Sequence, residues 1–151
     1  AASDVYKRQL QSSTALTGNA LVSQELQERV RDLTDSFGST FDIAEKDFDT
    51  FTALAGSSPA YIYLFIEALA KAGVKNGIPK AKALEIVTQT VLASANNLLA
   101  SSQSPHDFID AICSPGGTTI AGLLELERLG LTATVSSAID KTIDKAKQLQ
   151  K

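Results

Sequence analysis

"GSSPAYIYLFIEALA", residues 56–70, decides how the rest of the chain is read. Proline at 59 has no N–H to donate, so it suits the first turn of a helix, with Ser57 or Ser58 as the cap. The helix so opened is expected to run to about Lys75. Its apolar residues Tyr61, Ile62, Leu64, Phe65, Ile66 and Leu69 surround the axis instead of forming one stripe. A helix apolar on nearly all sides must be covered on nearly all sides. In a small, mainly helical chain, that points to burial between subunits. The strongly apolar run Ala60 to Ile66 is too short to span a bilayer, so no membrane is expected.

Downstream the pattern stays helical. Gly77 stops the apolar helix and Pro79 sits where the next begins. Leu84, Val87, Val91, Leu92, Ala95, Leu98 and Leu99 then form an apolar face that plain core packing explains. Ser104 caps a helix with Pro105 at its first position and Asp107 in its acid-favouring first turn. Phe108, Ile109 and Ile112 are its expected buried side. Ile120 to Leu129 is a further helix stopped by Gly130. Thr132 is expected to cap the last one, whose Val135, Ile139, Ile143 and Ala146 face inward.

Upstream, residues 47–54 read as a short helix. Between Asn19 and Phe37, the positions Leu21, Val22, Leu26, Val30, Leu33 and Phe37 recur at helical spacing, with Gly38 as the stop. Residues 39–44 alternate as one short strand, and a lone strand cannot satisfy its own edges. Either it pairs with another chain or the rest of its sheet is missing, and the signs of truncation at the start of the chain favour the missing sheet. Asp4-Val5-Tyr6-Lys7-Arg8-Gln9 looks like translated adapter sequence, which suggests a truncated reading frame whose natural part begins near Leu10. Three segments follow: an adapter-derived or disordered stretch over 1–9, a helix–strand remnant over 10–46, and a helical domain over 47–151.

Composition narrows the function. The 151 residues carry a net charge of −3 with 44% hydrophobic and 21% charged residues, an ordinary globular balance. The sequence pI near 5.1 argues against a nucleic-acid or anionic-membrane surface. Nothing at the start resembles a secretory signal, and the single Cys113 cannot form an intrachain disulfide, so the cytoplasm is the expected compartment.

Few residues are equipped for acid–base or metal chemistry. His106, the single histidine, sits in the first turn of a helix and reads as a surface residue. Cys113 lacks companion ligands and reads as a small buried thiol, so no metal is expected. Glu125 and Glu127 read as a solvated helix face. Gly116-Gly117 lacks the spacing and the preceding strand of a dinucleotide fingerprint. "CSPGGTT", residues 113–119, differs from all of these. Pro115 holds Ser114 extended, the two glycines permit close backbone approach, and a helix starts at Thr118 or Thr119. The amides of Gly117, Thr118 and Thr119, with the hydroxyls of Ser114 and Thr119, suit a small anion such as a carboxylate. A capped helix start after a glycine turn explains the same residues equally well.

"TALAGSSPAYIYLFIEALAKAGVKNGIP" followed by "AICSPGGTTIAGLLELERLG" resembles the C-terminal part of the pyrroline-5-carboxylate reductases over residues 14–151. The resemblance implies a mainly α fold: an all-α dimerisation domain, of the helical-bundle type shared with 6-phosphogluconate dehydrogenase, after a remnant of a Rossmann domain. It implies hydride transfer from NADPH or NADH to 1-pyrroline-5-carboxylate, giving L-proline. It also implies an interlocked homodimer, often built into decamers. The substrate carboxylate would lie at Ser114, Gly116, Gly117, Thr118 and Thr119, with the Thr119 hydroxyl near the imine nitrogen as its hydrogen-bond or proton donor. Two positions depart from the family pattern: Ala55, where many relatives have serine, and Ala111, where some have asparagine. The cofactor's main site would lie in an absent Rossmann half, so the chain alone is expected to be inactive. A non-catalytic helical dimerisation module is the alternative.

Overall fold

A computed structural model describes residues 11–149; the adapter-like stretch lies outside them. The chain divides into two compact units, Ala1–Pro59 with Ser137–Lys151, and Ala60–Ser136.

The first unit holds a strand–helix–strand motif: β1 (Ser12–Leu16), α1 (Gln24–Asp35) and β2 (Gly38–Asp42). β1 and β2 pair in parallel, from Ser12 opposite Gly38 to Leu16 opposite Asp42. The expected solitary strand thus has a partner within the chain. β1 escaped the sequence reading because "SSTAL" is short and polar at its start. Gly38 opens β2 as well as following the helix, and its place reflects space: a Cβ there would lie 2.0 Å from the Ser12 carbonyl oxygen. α1 starts at Gln24, later than the apolar spacing suggested. The Asn19 side chain accepts from the Leu21 amide at 3.0 Å, a local turn that competes with helix. Ser23 then caps the true start by accepting from the Leu26 amide at 3.3 Å. Arg31 pairs with Asp42 across the motif, and the Thr34 and Thr40 hydroxyls meet at 2.6 Å.

From Glu45 the backbone stays helical without a break: a 3₁₀ turn (Glu45–Asp47), α2 (Phe48–Phe51), a π-helical segment (Thr52–Ser57) and α3 (Ser58–Lys75). The capped gap expected at "GSSP" does not exist. Ser58 takes a helical backbone conformation, and its hydroxyl donates to the Ala53 carbonyl at 2.8 Å. Widening to i→i−5 bonds carries the ladder up to Pro59, whose ring would clash inside a regular α-helix. Joined this way, Glu45–Lys75 spans 31 residues and is long and apolar enough to cross a membrane by length and composition. That corrects the length argument drawn from Ala60–Ile66.

In the second unit, α3 ends in a Schellman motif. The Ile78 amide donates to the Gly73 carbonyl and the Gly77 amide to Val74, each at 3.0 Å. Gly77 sits at φ 94, the left-handed geometry this cap requires. α4 (Lys80–Leu99) follows at once, with Pro79 as its N-cap. Small residues let the two helices approach: Ala70 and Ala83 are buried, and a Cβ on Gly73 would lie 3.1 Å from that of Ala83. The Lys80 ammonium pairs with the Glu67 carboxylate, the one charge within the apolar stretch, across this turn.

Then come α5 (Pro105–Ile112) and α6 (Thr118–Arg128), and α7 (Leu131–Leu149) closes the chain. Thr132 lies inside the first turn of α7 instead of capping it, because helical geometry resumes directly after Gly130.

Among the described residues no large side chain is fully buried; the buried apolar ones are Ala53, Ala70 and Ala83. The expected core face of α4 is therefore half-buried at Leu84, Val87 and Val91 and exposed at Leu92, Leu98 and Leu99. Ile112 and Val135 are likewise exposed, whereas Phe108, Ile109, Ile139, Ile143 and Ala146 are half-buried. On α3, Leu64 is 69% exposed and Tyr63 60%. The inward burial expected from the periodicity is therefore only partly realised among the described residues of a single chain.

Candidate functional site

The segment 104–128 builds the site from two helices and the turn between them. α5 begins with a complete capping box: the Asp107 amide donates to Ser104 Oγ at 3.3 Å, and the Ser104 amide donates back to Asp107 Oδ2 at 2.7 Å. These hydrogen bonds, first the one from the Ser104 hydroxyl at 2.8 Å, hold the Asp107 carboxyl below its usual range. Folding then favours the ionised form. The stabilisation is complete above the ordinary aspartate value of about 3.9 and is lost as pH falls through the lower, folded value. Acid unfolding of Asp107→Asn, followed by circular dichroism, should accordingly show a smaller loss of stability below about pH 4 than the parent chain shows.

α5 stops at Cys113, whose amide still donates to the Ile109 carbonyl at 2.9 Å. The thiol is half-buried, less enclosed than expected. His106 is exposed, as its sequence position indicated. Ser114-Pro115-Gly116-Gly117 then forms a β-turn closed by the Gly117 amide on the Ser114 carbonyl at 3.0 Å. Proline in the second place and a glycine with φ 69 in the third mark it as type II. Gly117 is the N-cap of α6, with φ −77 and ψ 172.

No side chain caps α6. Its first amides, those of Thr118, Thr119 and Ile120, therefore lack intrahelical acceptors and sit at the positive end of the helix dipole. The expected set of donors shifts by one residue: the Gly117 amide is consumed by the turn, and the Ile120 amide takes its place. That exchange was hidden because sequence alone does not show which carbonyl a turn amide reaches. Ser114, Thr118 and Thr119 are exposed, and Gly117 is half-buried. The turn thus gathers hydroxyls and free amides around one helix start, an arrangement suited to a carboxylate. At the far end of α6, Arg128 clamps Glu125 with two hydrogen bonds at 2.8 and 2.7 Å, which lower the carboxyl's proton affinity. This pair is the solvated face expected of Glu125.

Residues 45–149 match the family described as pyrroline-5-carboxylate reductase dimerisation. A pyrroline-5-carboxylate reductase of Aquifex aeolicus is 44% identical over 135 residues, covering 89% of this chain and 51% of that protein. A crystal structure of 1-pyrroline-5-carboxylate reductase from Streptococcus pyogenes is 92% identical, with a TM-score of 0.89 over 95% of this chain and 55% of the other. The Plasmodium falciparum pyrroline carboxylate reductase, solved with NADP bound, is 36% identical, with a TM-score of 0.88 over 97% and 59%. The chain spans about half the length of the curated relatives it matches.

Proposed function

The chain belongs to the pyrroline-5-carboxylate reductase family, and on that premise we propose that it is the dimer-forming, substrate-holding part of an enzyme reducing 1-pyrroline-5-carboxylate to L-proline. The observation that supports this most is the uncapped start of α6 behind the Ser114–Gly117 turn. The amides of Thr118, Thr119 and Ile120 and the Ser114 hydroxyl receive the carboxylate. Each such hydrogen bond to a charged group contributes about 1.5–3 kcal/mol. Thr119 then presents its hydroxyl to the imine nitrogen, where a hydrogen bond or proton raises the electrophilicity of the C=N carbon.

NADPH or NADH supplies the hydride. The described residues do not form its cradle: the link from β1 to α1 contains the single Gly18, and no glycine-rich turn opens α1. The cofactor is therefore assigned to a nucleotide-binding half outside this chain, with residues 10–46 as the tail of that half and 47–151 as the helical domain. A second copy of the chain covers the apolar surface of α3 and α4, which accounts for that surface without a membrane. Dimers of this kind are the unit from which a decamer is built, and the enzyme acts in the cytoplasm.

Two forms of the chain test the assignment. Residues 1–151 alone should oxidise no NADPH with 1-pyrroline-5-carboxylate, whereas the same residues fused behind the nucleotide-binding half of the Streptococcus pyogenes reductase should form L-proline. A folded, dimeric fusion without that activity leaves the dimerisation-module reading in its place.

A further inference from the structure

The two adjacent glycines of the turn are needed for different reasons. Gly116 has φ 69 with open space where a Cβ would stand, so its constraint is backbone conformation. Gly117 has the ordinary φ of −77, which any residue adopts. Its constraint is space: a Cβ on Gly117 would lie 2.5 Å from Ser114 Oγ and 3.1 Å from the Ser114 carbonyl oxygen. Its amide is already spent on that carbonyl. We infer that Gly117 is a positioning residue that seats the Ser114 hydroxyl beside the free amides of α6, and does not itself bind substrate. The inference rests on the assignment of this turn to the substrate carboxylate.

The reasoning is steric. A methyl group at 117 cannot coexist with Ser114 Oγ in its present rotamer. Serine has two other staggered positions, so the clash with Oγ is relieved by swinging the hydroxyl away, and the tight contact with the Ser114 carbonyl oxygen by a backbone shift of a few tenths of an ångström. The fold survives that swing, since Ser114 is exposed. The anion site does not, because a hydroxyl displaced by more than about 1 Å no longer completes the hydrogen bond.

A double-mutant cycle in the full-length fusion reads this directly, with KM and kcat measured separately. Ser114→Ala and Gly117→Ala should each raise KM about ten- to a hundredfold. Combined, they should cost little more than either alone, because both remove the same hydroxyl from the same place. The thermal midpoint and the dimer should persist in Gly117→Ala. Multiplicative effects in the double variant overturn the positioning role while leaving the site in place. If Ser114→Ala, Gly117→Ala and Thr119→Ala all leave KM and kcat unchanged, the substrate assignment of the turn fails with it. Loss of folding in Gly117→Ala alone contradicts the rotamer swing, which leaves the fold intact. Loss of folding in both that variant and Ser114→Ala/Gly117→Ala contradicts the steric conflict.

Discussion

Thr119→Ala in the full-length protein should lower kcat by about a hundredfold or more, with a smaller rise in KM, if its hydroxyl serves the imine nitrogen. The hydrogen bond strengthens as charge develops on nitrogen, so it is worth more in the transition state than in the bound substrate. The amide of residue 119 survives the substitution, and one carboxylate contact survives with it. Stability should barely move, because Thr119 is exposed in the first turn of α6 and alanine is the better helix former. Thr119→Ser restores a donor at nearly the same place and should recover most of the rate. Turnover by Thr119→Ala at the parent's rate removes the donor role.

Leu64→Asp should dissociate the assembly. In one chain Leu64 is 69% exposed on a helix that is apolar on nearly all sides. A second copy that covers it turns the substitution into a buried, unpaired carboxylate. Such a group costs about 3–5 kcal/mol, and twofold symmetry applies the cost in both subunits. The dimer should weaken at least a thousandfold on that basis. Leu21→Asp is the matched control: Leu21 is 93% exposed and precedes the segment matched to the dimerisation family. That variant should associate like the parent. Equal association by Leu64→Asp places the interface elsewhere.

The helices from Ser58 onward were legible because their signals are local. Pro79 with Gly77, Ser104 with Asp107, and Gly130 mark ends through hydrogen bonds within a few residues. Burial was not legible, because it depends on what covers a face. The stripe through Leu84, Val87 and Val91 looked like core, and in one chain it is half-covered. The "GSSP" break was misread for a related reason. Serine and proline signal a cap, and only the widened ladder around Thr52–Ser57 shows a helix passing through them. At the site, the turn and the helix start were visible from Pro115, Gly116 and Thr118. The engagement of the Gly117 amide was not, since a donor's partner is a matter of three-dimensional closure.

Among the described residues the buried apolar side chains are the small ones Ala53, Ala70 and Ala83, so on the proposed reading the chain is expected to need a second copy to complete its core. Sedimentation equilibrium of residues 1–151, over a range of concentrations, tests this most directly. A folded dimer, or a larger species built from dimers, with no folded monomer even at the lowest concentration is the expected result. A folded monomer that persists at high concentration contradicts it.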